Sequence, residues 1–101
     1  MIHEVKVFRK YYRALVTGNK TFEVRKNDRP YAVGDILAVN EFIPIEQIER
    51  KANPDWLAKL RKVETGYYTG NGELFKITYI LDDPQFCKDG MVILGLKEVP
   101  K

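Results

Sequence analysis

The sequence predicts an α+β fold arranged as a small, mostly antiparallel β-barrel of five or six strands with two short helices. Three observations lead there. Five or six short segments carry the apolar patterning of strands, only two carry helical spacing, and the later strands follow one another without the crossover helices a parallel βαβ array needs. At 101 residues the chain has room for one core, so it reads as a single domain, residues 1–101, with a helical insertion at about 44–65.

The elements follow in order. His3 to Phe8 alternates Val5 and Val7 with Glu4 and Lys6, giving a first strand. From Lys10 the apolar positions shift to Tyr11, Tyr12, Leu15 and Val16, one face of a short helix, and both tyrosines are expected in the core. Gly18-Asn19 stops that helix. Thr21 to Lys26 alternates again, with Phe22 and Val24 on one face and Thr21, Glu23 and Arg25 on the other. Turn residues at 27–30 and Val33-Gly34-Asp35 lead into a third strand over Ile36–Ile43.

Asn53-Pro54 reads as a helix start, with Asn53 as N-cap, Trp56 as the anchor, and Lys59, Arg61 and Lys62 near the helix end, where the dipole favours cations. Gly70-Asn71-Gly72 reads as the turn of a hairpin joining Tyr67-Tyr68 to Leu74–Leu81. Met91–Val99 makes the last strand.

Composition excludes several classes. The mixture of 45% hydrophobic and 31% charged residues does not suit a disordered chain, and no repeat is present. His3, Glu4 and Lys6 stand where a signal peptide would need an apolar run, so a cytoplasmic protein with no membrane partner is expected. Cys87 is the one cysteine and His3 the one histidine, so no metal or other cofactor is expected. Cys87 reads as a bystander thiol and His3 as a structural residue. Residues 1–30 hold eight basic groups against three acidic ones, leaving the rest net acidic, a polarity that suits an anionic partner on one side.

The chemistry-bearing segment is Gly18-Asn19-Lys20-Thr21-Phe22-Glu23-Val24-Arg25, with the pattern G-x-K-x-x-E-x-R. Gly18 allows the helix to end with positive φ, which places Lys20 at the helix–strand junction. Glu23 and Arg25 share a strand face and can pair, and Arg25 keeps a planar donor fork for phosphate or carboxylate. An ion pair that only ties strands together is the competing reading of the same residues.

The pattern resembles the signature of ASCH domains, PUA-like β-barrels implicated in RNA binding, and more narrowly the short DUF3850 domain. The resemblance takes in Met1-Ile2-His3-Glu4, Lys6, Lys20–Asp28, Val33-Gly34-Asp35, Gly66-Tyr67-Tyr68-Thr69-Gly70, Ile77–Leu81 and Val92-Ile93-Leu94-Gly95. Two departures are the long segment from Pro44 to Thr65 and the extra tyrosine in the Gly66–Gly70 element. The resemblance implies a ligand cleft lined by the motif, between helix and barrel.

The expected function is RNA binding, to single-stranded or structured RNA, through Lys20, Glu23, Arg25, Gly18 and Thr21. Lys10, Arg13 and Lys26 would add phosphate contacts, and Tyr68 a stacking face. One alternative is an enzyme or sensor acting on a nucleoside-like small molecule. Some small ASCH-like proteins are amidohydrolases of acylated nucleosides, in which the motif lysine works with a threonine where this chain has Glu23; Thr21 stands at a different offset. A protein-interaction module using the 44–65 insertion is the other. On balance a binding protein is expected rather than an enzyme.

Overall fold

A computed structural model describes residues 1–48 and 55–100. Its elements are β1 (Ile2–Phe8), α1 (Arg9–Val16), β2 (Phe22–Lys26), β3 (Ile36–Pro44), β4 (Arg61–Val63), β5 (Gly66–Leu81) and β6 (Met91–Glu98). Short 3₁₀ turns lie at Ile45–Gln47 and Asp55–Lys59.

The strands form one sheet in the order β1-β3-β5-β6-β2, with β4 added beside β5. Only β1 and β3 run parallel; the other pairs are antiparallel. Between those two parallel strands the chain passes through α1, which closes over β1 and β3 with Tyr12 and Leu15 buried beneath it. The core joins these to Val5, Val7, Leu37, Val39, Phe75, Ile77, Val92, Leu94 and Leu96. A side chain as enclosed as Leu37 or Leu94 contributes about 1.5–3 kcal/mol by leaving water.

The sheet curls into a half-barrel without closing. β1 and β2 are its two free edges, yet Arg25 Nη1 donates to the Lys6 carbonyl at 3.0 Å and Arg29 Nη1 to the Glu4 carbonyl at 2.7 Å. Guanidinium side chains thus bridge the seam where a backbone ladder would otherwise run. They also satisfy carbonyls on the β1 edge that have no strand neighbour there.

Several expectations are corrected, and one matter the sequence leaves open is decided: of the two faces of β2, Glu23 is buried, while Phe22 and Val24 are each 45% exposed. The register explains it, because Glu23 lies opposite fully buried Leu94 and therefore points into the half-barrel. On α1, Tyr12 is buried but Tyr11 is 46% exposed, so the apolar stripe is narrower than the sequence suggests.

The hairpin does not form either. β5 is one strand of 16 residues running through Gly70-Asn71-Gly72, whose turn chemistry makes a bulge, with Gly70 at φ 90°. The second helix is replaced by the 3₁₀ turn at Asp55–Lys59; Arg61 and Lys62 belong to β4, and the proposed cap at Asn53-Pro54 lies outside the described residues. Leu57, not Trp56, anchors this segment, since Leu57 is buried and Trp56 is 48% exposed.

His3 is structural as expected: it is buried, bonds Asp35 Oδ2 through Nε2 at 2.8 Å and meets the Tyr31 ring edge-on. Cys87 is a free, buried thiol donating to the Leu81 carbonyl. No helix among the described residues is long and apolar enough to cross a membrane.

Candidate functional site: a charged cleft at the open seam

The G-x-K-x-x-E-x-R segment spans the junction from α1 to β2. At the helix end, Thr17 N–H donates to the Arg13 carbonyl, Gly18 N–H to that of Leu15, and Lys20 N–H to that of Ala14. The chain can turn so sharply because Gly18 sits at φ 81°. Lys20 is thereby delivered to the mouth of the half-barrel, beside the first residues of β2.

There the inward face of β2 carries charge. Glu23 Oε1 accepts from Lys20 Nζ at 2.6 Å, and Oε2 accepts from Arg25 Nη1 at 3.3 Å. The Glu23 side chain is only 7% exposed, so both cations are held by a carboxylate largely shielded from water. Lys20 Nζ also lies 4.9 Å from the Tyr11 ring centroid and 5.3 Å from that of Phe22. Ammonium, carboxylate and aromatic faces fix one another.

This cluster forms part of a cavity of about 420 Å³ that opens at the seam between β1 and β2. Lys6, Val7 and Phe8 of β1 form one wall, Tyr11 of α1 an end, and Phe22 to Arg25 with Lys20 the other wall. Three cations face one carboxylate, so the cavity carries positive charge. Phe8, Tyr11 and Phe22 are each more than two-fifths exposed, so the cavity presents apolar ring surface beside its cations.

Of the residues expected from sequence, the structure brings Lys20, Glu23 and Arg25 into this cavity, with Gly18 shaping the approach. Thr21, Lys10, Arg13 and Lys26 are exposed and do not line it. Tyr68 lies in a second cavity, where its ring holds Arg61 at 4.2 Å. The missed residues are Lys6, Phe8, Tyr11 and Phe22. Their signal was available as an excess of aromatic residues around the basic motif, but helix periodicity assigned Tyr11 to the core, and the strand patterns of Phe8 and Phe22 did not mark them for the site.

Among the described lining residues the only hydroxyl belongs to Tyr11, and no histidine or cysteine is present. Nor does any group of three His, Cys, Asp or Glu among the described residues suit a metal. The arrangement can bind an anion and cover a planar group; it offers no paired nucleophile and base.

Fold and cleft together define a curled β half-barrel with one helix at its open seam and a cation-lined cleft beneath it. The chain belongs to the family described as Domain of unknown function (DUF3850), whose model matches residues 2–96. It is similar to the uncharacterized 12.9 kDa protein in the GpA 3′ region of Escherichia phage P2, 45% identical over 42 residues. That similarity covers 42% of this chain and 38% of the phage protein.

Proposed function

We propose that this domain binds RNA, seating a nucleotide in the cleft between β1, α1 and β2. The observation that carries the reading is the clamp at Glu23, which presents Lys20 and Arg25 as fixed donors among half-exposed Phe8, Tyr11 and Phe22. Phosphate or a base edge takes the donors, and the base stacks on an aromatic face. Lys6 supplies a third cation, and the exposed Lys10, Arg13 and Lys26 add attraction at longer range. The half-barrel with its helix supports reading the fold as ASCH-type and PUA-like.

The test is binding of short single-stranded and duplex RNA at several salt concentrations. Affinity should fall steeply with salt, and Lys20→Ala with Arg25→Ala should weaken it roughly 10-fold or more while flattening the salt slope by about 1.4, near 0.7 for each lost phosphate contact on a single strand. Unchanged affinity in the double variant would sink the proposal.

A second reading, a nucleoside-like small molecule in the same cleft, is favoured by its volume of about 420 Å³, within the range of small-ligand sites. It predicts saturable binding of free nucleosides with little salt dependence. Hydrolysis by Thr21 receives no support from the cavity, which that residue does not line.

A further inference from the structure

The bulge in β5 builds a second site. Asn40 pairs with Gly72 and Phe42 with Tyr68, so Glu41 alone stands opposite Thr69, Gly70 and Asn71. Thr69 and Asn71 hold its side chain, and Glu41 is only 5% exposed. Thr69 Oγ1 donates to Glu41 Oε1 at 2.7 Å, and Asn71 Nδ2 donates to the same oxygen at 3.1 Å. Oε2 has no hydrogen-bond or ion-pair partner among the described residues. Oε2 is not sealed from solvent, so a donor entering the cavity can reach it.

The carboxylate forms part of a cavity of about 350 Å³, whose lining also includes Lys59, Arg61 and Tyr68. Arg61 lies over the Tyr68 ring, 4.2 Å from its centroid, a cationic and aromatic stack at the cavity wall. This cavity is joined to the first by strand register. Phe8 pairs with Phe42, Phe42 with Tyr68, and Tyr68 with Arg61, forming one row across β1, β3, β5 and β4. Ring centroids along it are 6.5 and 5.0 Å apart, and Lys6 Nζ stands 4.7 Å from the Phe42 ring. Phe8 and Lys6 line the first cavity, Tyr68 and Arg61 the second.

We propose that the second cavity is a base subsite for the neighbouring nucleotide of the same RNA strand, selective for a base with an exocyclic amino group. The amino N–H donates to Glu41 Oε2, the base face lies against the Arg61–Tyr68 stack, and Lys6 between the cavities meets the linking phosphate. Uracil presents a carbonyl oxygen where cytosine presents its amino group, so it sets two acceptors against each other. This inference rests on the RNA-binding reading of the Lys20 cleft.

Octamers of cytidine and of uridine, which differ at C4 (amino against carbonyl) and at N3 (acceptor against N–H), test the pose in which C4 faces Glu41, by fluorescence anisotropy with the full chain. Wild type should prefer the cytidine octamer by about tenfold or more, the scale of one hydrogen bond to a charged group. Glu41→Gln keeps an oxygen for Thr69 and Asn71 but puts an NH₂ in place of Oε2, so the preference should vanish or reverse. In wild type, the Asn71 side-chain amide resonance should move with the cytidine octamer and stay still with the uridine one; this readout serves even if the variant misfolds. Equal affinity for both octamers, a preference that survives in a folded Glu41→Gln, or a still Asn71 amide would overturn the subsite and leave RNA binding standing. If neither octamer nor any other short RNA binds at low salt, both proposals are overturned.

Discussion

Lys20 and Glu23 meet at 2.6 Å across the junction of α1 and β2, with Arg25 on the other oxygen of the same carboxylate. The contact sets the direction of the cleft's cations. β2 is an edge strand on which Glu23 and Arg25 carry charge inward, while Phe22 and Val24 stay half exposed beside the cleft.

Removing the carboxylate should therefore cost stability as well as orientation. Glu23→Ala leaves two partly buried cations without their partner and is expected to lower stability by about 2–3 kcal/mol, below the value for a fully enclosed pair because Lys20 and Arg25 reach water. Glu23→Gln should lose about half as much. Urea denaturation of the three proteins measures both, and a loss under 0.5 kcal/mol for Glu23→Ala would show that the clamp does not matter to the fold.

The exposed aromatics should behave in the opposite way. Tyr11→Ala and Phe22→Ala remove side chains that are nearly half exposed, so stability is expected to change little, within about 1 kcal/mol. RNA affinity should fall about 5- to 150-fold for whichever ring stacks a base, the range of about 1–3 kcal/mol per stacked base. Thermal melts beside binding isotherms separate the two effects. A large melting shift with intact binding would return these rings to a packing role.

Gly66 sits where β5 passes close to β3. A Cβ there would collide with the Ile43 carbonyl and come within 2.7 Å of the Phe42 ring. Gly66→Ala is expected to destabilise by about 1–3 kcal/mol through this overpacking. It should also loosen the Phe8–Phe42–Tyr68 row, visible as faster amide exchange in β3. Wild-type exchange in this variant would contradict the close approach.

The acid limb of stability should report on Asp35. The hydrogen bond from His3, then that from the N-terminal ammonium, holds its carboxyl below the ordinary value of 3.8. Folding thus favours the ionised form. Its contribution is complete above the unfolded value, near pH 4, and fades as pH drops through the lower folded value. Asp35→Asn should lower stability at neutral pH and flatten the fall in stability as pH drops below about 4. Denaturant midpoints across that range test it, and parallel profiles for both proteins would rule out this role.

The sequence by itself determined where β1, α1, β3 and β6 lie, because each carries a clean apolar period or run, and where α1 stops, because Gly18 takes a positive φ. It also determined that Lys20, Glu23 and Arg25 form one cluster, since a lysine at the start of a strand and two same-face residues on it are close by local geometry alone. Only the tertiary structure decided which face of β2 looks inward: a period of two gives two faces and does not choose between them, and pairing with Leu94 chose the charged one. The same holds for Gly70-Asn71-Gly72. Its residues suit a hairpin and a bulge equally, and β3 lying alongside, with the Glu41 carboxylate to wrap, made it a bulge in one long strand. The cleft needed the curl most of all, because Lys6 and Phe8 reach Lys20 only when the two ends of the sheet are brought together, a long-range contact that local sequence pattern does not encode.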